Sequence, residues 1–182
     1  MALLDPDSLA QHTDRLYRAA WALCGSRVEA EDLVQETFAR VLTRPRMLRG
    51  QDELAYLLHA LRNTFLSGRR TAARRPSVVP VPIEDLPLGS RSTAGEPEAA
   101  YAASELLGAI ARLDEDFRFA LIAVDILGLS YREAAVALGT REATITTRLY
   151  RARQRLVRQV DPLAQRVAER EGKAPSGRLE DV

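Results

Sequence analysis

The stretch Ser130–Arg153, SYREAAVALGTREATITTRLYRAR, decides how this chain folds. Ser130 and Glu133 stand at the S-x-x-E spacing of a capping box, in which hydroxyl and carboxylate each satisfy the other's backbone N–H, so a helix is predicted from Tyr131 to Leu138. Gly139 supplies a left-handed stop, and a second helix begins near Glu142. At 100° per residue, Leu149, Ala152 and Leu156 fall within about 40° of Ile145 and form a narrow core stripe. The opposite face carries Ala143, Thr147, Tyr150, Arg151 and Gln154, flanked by Thr144, Thr146 and Arg153. A helix, a tight glycine turn and a basic second helix make the pattern of a helix-turn-helix that reads duplex DNA. Small and hydrogen-bonding groups sit where such a helix meets base edges, and arginines follow where phosphates lie. A basic amphipathic helix on an ordinary bundle is the alternative.

Outward from this stretch, apolar spacing stays helical and no run sustains the period-two alternation of a strand, so the chain reads as all-α. Asp5 and Pro6 resemble an N-cap and first turn, followed by Leu9, Thr13, Leu16, Tyr17, Ala20, Leu23 and Cys24, with Gly25 as the stop. Ser26 and Glu29 repeat the capping-box spacing ahead of Ala30, Leu33, Val34, Thr37, Phe38, Val41 and Leu42, and Pro45 ends that helix. Leu54, Leu57, Leu58, Leu61 and Phe65 mark a third helix, weakened at Gly68. Ala99–Leu113 and Phe117–Leu127 are helix-compatible, with a break at Asp114–Asp116. Five of the nine prolines lie between Pro76 and Pro97. The expected organisation is therefore two small helical domains, 1–75 and 99–160, joined by a flexible linker at 76–98 and followed by a polar tail at 161–182. Fully extended, the linker spans at most roughly 70 Å.

The formal net charge of +1 conceals blocks of opposite sign. Residues 1–36 carry −4, 37–75 carry +7, 76–129 carry −6, 130–160 carry +5 and 161–182 carry −1. Two basic segments separated by an acidic one suggest two contact zones for a polyanion, although a solvated face is the plainer reading of any charge run. The longest apolar stretches are far shorter than the ~20 residues of a membrane span, and no secretory signal opens the chain, so a cytoplasmic protein without direct membrane insertion is expected. Cys24 stands alone, which excludes an internal disulfide and multi-cysteine zinc patterns and suits a small buried hydrophobe. There is no GxxxxGK[ST], no HExxH and no Cys/His cluster, and His12 and His59 form no triad pattern; neither an enzyme nor a cofactor or metal site is expected.

The strings DLVQETF (Asp32–Phe38), LRNTF around Asn63, and GLSYREAAVALG with ATITTRLYRAR (Gly128–Arg153) resemble the bacterial extracytoplasmic-function sigma factors of RNA polymerase, over roughly residues 9–75 and 99–158. The resemblance implies that the N-terminal domain binds the clamp helices of the polymerase β′ subunit through Asp32, Gln35 and Glu36, with Leu33 and Phe38 holding the helix in its own core. The bare sequence agrees, since those three lie off the Leu33/Phe38 stripe in an acidic patch with Glu29 and Glu31 that would repel DNA. The resemblance further implies capture of the melted minus-ten element by a loop at Arg44–Asp52 and the helix beyond it. Arg46, Arg49, Tyr56, His59, Arg62, Asn63, Arg69 and Arg70 are the candidates, since flipped bases need stacking surfaces and a basic track. Duplex recognition of the minus-thirty-five element falls to Arg141, Thr144, Thr146, Thr147, Arg148, Tyr150 and Arg151, with Arg148 at the core border assigned to a phosphate.

Tyr56 stands where the family usually has Trp, Ser67 where Asp or Asn is frequent, Ala143 where Gly is usual and Thr147 where Ser is usual; the Ser67 change puts one minus-ten contact in doubt. The acidic linker resembles the family segment that threads the RNA channel, with a plain spacer as the alternative. The implied partners are core RNA polymerase (the β′ clamp helices and the flap of the β subunit), promoter DNA and an anti-sigma factor. Competing readings are a stand-alone helix-turn-helix regulator and a sigma-like decoy that titrates an anti-sigma factor.

Overall fold

The computed structural model describes residues 2–3, 6–43, 47–48, 53–74 and 97–160. Asp5, Arg44–Arg46, Arg49–Asp52, most of the proline-rich linker and the 161–182 tail lie outside them. The described elements are helices joined by short turns, plus one two-residue antiparallel pair in which β1 (Ala2–Leu3) meets β2 (Met47–Leu48), with Ala2 opposite Leu48. That pair is too short to leave a period-two signature in the sequence.

Helix α1 (Pro6–Cys24) ends at Gly25, whose φ of 77° is the left-handed stop its position predicted. Helix α2 (Arg27–Thr43) follows, and α3 (Glu53–Arg74) runs through Gly68 unbroken. Helix α4 (Pro97–Ala111) begins two residues before the expected start, with Pro in the first helical position, so the linker closes earlier than 98. Helix α5 (Glu115–Leu121) starts at the predicted break and continues into a π turn, Ile122–Ile126. Leu127 N–H donates to Ile122 C=O at 3.0 Å across that turn. Both residues are fully buried. In a regular helix they would point about 140° apart, and the wider turn brings both to the core.

Helix α6 (Tyr131–Leu138) carries the complete capping box: Glu133 N–H donates to Ser130 Oγ at 3.2 Å, and Ser130 N–H donates to Glu133 Oε2 at 2.8 Å. Gly139 ends it at φ 64°, and α7 (Glu142–Val160) buries Ile145, Leu149 and Ala152 as the stripe predicted.

α1, α2 and α3 pack on one another, and α5, α6 and α7 form the helix-turn-helix unit. The two units also pack together, α4 against α1 and α6 against α3, so buried residues from Leu9 to Ala152 belong to one continuous apolar cluster. At one crossing a Cβ on Gly25 would lie 3.1 Å from Ala111 Cβ. A bare backbone at Gly25 therefore serves both the turn and the close approach of α4.

Candidate nucleic-acid and polymerase interfaces

On α2 the apolar stripe turns Leu33, Val34 and Thr37 inward and half-buries Phe38, while Asp32, Gln35 and Glu36 stay exposed with Glu29 and Glu31. Thr37 satisfies its buried hydroxyl by donating to Leu33 C=O at 2.7 Å. Glu36 is held by Arg40 one turn on, at 2.6 Å, while the side chains of Asp32 and Gln35 have no such partner among the described residues. Val28 is 63% exposed, and at 100° per residue it lies on the line of Asp32 and Gln35. Sequence reading missed it, although its i, i+4, i+7 relation to those two was visible. The phenol of Tyr17 is pushed up by burial first and by the Glu31 carboxylate second, which places that negative field against α1 as well.

Of the expected minus-ten residues, Arg46 and Arg49 lie outside the described residues. Tyr56 is half-buried against the core, and the others form a row along α3. His59 Nδ1 lies 3.2 Å from Ala137 C=O, and Asn63 Nδ2 lies 2.9 Å from His59 Nε2. A carbonyl only accepts, so Nδ1 carries the proton, Nε2 accepts from the Asn63 amide, and one tautomer satisfies both contacts. The Arg62 guanidinium sits 5.4 Å from the Phe119 ring centroid, and Arg69 donates to Glu115 at 2.8 Å. Arg70 folds back onto Leu66 C=O. Between α3 and α5, Leu66, Arg69, Arg70, Ala73 and Glu115 line an open cleft of about 380 Å³.

On α7 the predicted outward face is outward: Thr146, Thr147, Tyr150 and Arg151 are exposed, Thr144 is half-buried, and Arg141 is exposed in the turn. Thr146 and Thr147 donate their hydroxyls back to Glu142 and Ala143 carbonyls at 3.1 Å, which leaves their lone pairs and methyls facing out. The arginines divide into two sets. Arg148 donates to Asp116 at 2.5 Å, Arg153 grips Asp125 through two bonds at 2.6 and 3.0 Å, and Arg155 pairs with Asp114. The bonds to Asp125 raise Arg153 above its ordinary value. The side chains of Arg141 and Arg151 make no hydrogen bond or ion pair among the described residues.

Arg118 escaped the sequence reading because nothing in its own helix marks it. It reaches out of α5 to donate to Leu113 C=O at 3.2 and 2.9 Å and to Leu23 C=O at 2.5 Å, the latter 95 residues away. Burial pushes its guanidinium below the ordinary value and Glu115 pulls it back. Cys24 lies beside it, its thiol pushed up to about 12 by burial and by Glu29. Among the described residues no cluster of acid, His and Cys side chains forms a metal site, and no helix is long and apolar enough to cross a membrane.

Comparison with known proteins gives this geometry a lineage. The family described as Sigma-70 region 2 matches residues 9–75, and Sigma-70, region 4 matches residues 103–156. The chain is similar to the ECF RNA polymerase sigma factor SigE of Mycolicibacterium smegmatis, 35% identical over 151 residues that make up 80% of this chain and 57% of that protein. It is also similar to the ECF sigma factor EcfG of Rhodopseudomonas palustris, 33% identical over 82% of this chain and 81% of that protein. Among solved structures, the sigma factor RpoE of Bartonella quintana, crystallised with the anti-sigma factor NepR, superposes with a TM-score of 0.57 at 26% identity. That match covers 86% of this chain and 99% of RpoE. Two sigma regions in order on one chain, and a relative at 33% identity matched over four fifths of its extent, make this chain a member of the ECF class of RNA polymerase sigma factors.

Proposed function

We propose that this chain is an alternative sigma factor that binds core RNA polymerase, directs it to specific promoters and starts transcription by capturing the melted minus-ten strand. The observation that carries the reading is the pairing, in one chain, of a region 2 helix lined with polar and basic groups and a capped region 4 helix-turn-helix whose outward face is polar and basic. Asp32, Gln35 and Glu36, with Val28 among them, meet the clamp helices of the β′ subunit, and the C-terminal unit meets the flap of the β subunit. His59, Arg62, Asn63, Arg69 and Arg70 with Tyr56 hold the unpaired strand, and binding energy for its bases offsets the few kcal/mol needed to unstack each flipped nucleotide. Arg141, Thr144, Thr146, Thr147, Tyr150 and Arg151 face the minus-thirty-five duplex, with Arg148 toward a phosphate. The units at 1–75 and 99–160 act as separate reading heads, and the protein catalyses nothing itself.

The site of action is the cytoplasm, where an anti-sigma factor holds the protein inactive, a partner suggested by the complex in which RpoE was crystallised. The test is reconstituted transcription with bacterial core polymerase on a genomic fragment library, reading RNA 5′ ends. Defined starts that need this protein support the reading. Core binding without starts supports a decoy, and operator binding without core binding supports a stand-alone regulator.

A further inference from the structure

Nine residues, 44–52, join α2 to α3, and they form the connection to which capture of the minus-ten strand was assigned. A connection of that length, tethered only at its ends, loses backbone entropy for every residue that orders on a ligand, and its affinity and selectivity fall accordingly. Two ties reduce that freedom before any strand arrives.

The first tie lies at the middle of the connection. There β1 (Ala2–Leu3) pairs antiparallel with β2 (Met47–Leu48), Leu3 opposite Met47 and Ala2 opposite Leu48. Only residues 4 and 5 separate β1 from α1, so the place of the strand follows that of the helix. The second tie lies at the exit. His12 Nε2, on α1, is 3.3 Å from Glu53 Oε2 in the first turn of α3, with the two side chains only 18% and 20% exposed. A partly buried contact of this kind is screened less by solvent and salt than one on the surface.

Both ties start from α1, a helix of 19 residues whose Leu16 and Ala20 are fully buried in the core. They divide the connection into two short spans, 44–46 and 49–52. In sequence Arg46 directly precedes β2 and Arg49 directly follows it, so each Cα lies about 3.8 Å from that of a paired residue. A ladder of two residues has little stability of its own. Here both strands are tethered at short range, β1 to α1 and β2 to α2 and α3, which raises the effective concentration of each for the other.

Resting on the sigma reading above, we infer that β1, with His12 behind it, is a positioning element for minus-ten base selection, holding β2 in its reading geometry before the strand is unpaired. Ala2 and Leu3 act through the backbone of Met47 and Leu48 and are assigned no contact with DNA. Their effect falls on which base is accepted. A loose connection adjusts to several bases, whereas a fixed one admits the base that fits and leaves the others with unpaired groups.

The experiment reconstitutes core polymerase with the parent chain, with Ala2→Pro/Leu3→Pro and with His12→Ala on the genomic fragment library, and reads base frequencies upstream of the RNA 5′ ends. Proline removes the backbone donor at both positions of β1, whichever of them donates. A further variant locks the pair, Leu3→Cys/Met47→Cys in a Cys24→Ser background. Opposed residues of an antiparallel pair have Cα atoms about 4.5–5.5 Å apart, within disulfide reach. The expected result is a disulfide that forms on mild oxidation, seen by intact mass, and a locked chain with the parent's minus-ten preference. The proline variant should keep the minus-thirty-five preference and the parent's melting midpoint, while discrimination between bases at the minus-ten element falls by about fivefold. His12→Ala should shift it in the same direction. An unchanged minus-ten preference in the proline variant overturns the positioning role, and so does a gain in transcripts from it, which marks β1 as a cover instead. Failure of the disulfide to form overturns the pairing itself. No defined starts from the parent chain overturn the sigma reading, and this inference with it. Should the proline variant lose native helical circular dichroism, His12→Ala alone carries the comparison, and an unchanged minus-ten preference there overturns the inference.

Discussion

Arg151 and Arg153 stand two residues apart on α7 with different tasks. Arg153 is bound by Asp125 through two bonds, whereas Arg151 is unengaged and exposed among the described residues. Arg151→Ala should weaken binding to a minus-thirty-five duplex by about 1–3 kcal/mol, the scale of one good base or phosphate contact, and leave thermal stability unchanged. Arg153→Ala should do the reverse, losing stability at the π turn with little effect on the duplex; anisotropy titrations and melting curves separate them. Val28→Asp, on the acidic face of α2, should reduce affinity for core polymerase at least as much as Gln35→Ala, while melting stays within about 0.5 kcal/mol of the parent because the site is exposed. Cys24 is the chemical counterpart of these exposed residues. With its thiol pushed up to about 12, almost none is thiolate at pH 8, and iodoacetamide should alkylate the folded chain on the order of a thousandfold more slowly than the urea-unfolded one.

At the scale of elements, the Ser130 cap is the clearest target. Ser130→Ala removes the acceptor for Glu133 N–H and should cost about 1 kcal/mol. The Ser130 hydroxyl and backbone N–H, both donating to Glu133 Oε2, hold the Glu133 carboxyl below its ordinary value. A depressed carboxyl contributes stability that is present above its unfolded value, about 4.3, and is lost as pH falls through the folded one. Denaturation curves between pH 5 and 3 should therefore fall less steeply for Ser130→Ala than for the parent. Much of this scale was legible in the sequence, because capping boxes and glycine stops are local devices: Ser130, Gly139 and Gly25 each declared a boundary that the structure keeps. The π turn was not legible. Ala120 to Leu127 is apolar almost throughout, so its period does not distinguish a regular helix from one widened to bring Ile122 and Leu127 to the same side. The roles of His59 and Arg118 were hidden for a different reason, since their partners, Ala137 and Leu23, lie 78 and 95 residues away.

At the scale of the whole molecule, one apolar cluster spans both units, and the units should melt together. Trp21 is the single tryptophan and lies on α1, so its fluorescence reports the N-terminal unit alone. Leu149→Ala, in the core of the other unit, should cost about 2–5 kcal/mol and lower the Trp21 midpoint as much as the circular dichroism midpoint. Two separated midpoints would show that the units melt independently. The pairs of Asp114 and Asp116 with Arg155 and Arg148 carry a last consequence. Those carboxylates act as built-in counterions, so when duplex phosphates take their place the displaced carboxylates draw back part of the salt cation that the phosphates release. They also hold the guanidiniums in place before the duplex arrives, and less freedom is lost on docking. The logarithmic dependence of duplex affinity on salt should then be shallower than the arginines on α7 would suggest. On the proposed function, promoter choice by such a helix should tolerate swings in cellular ionic strength.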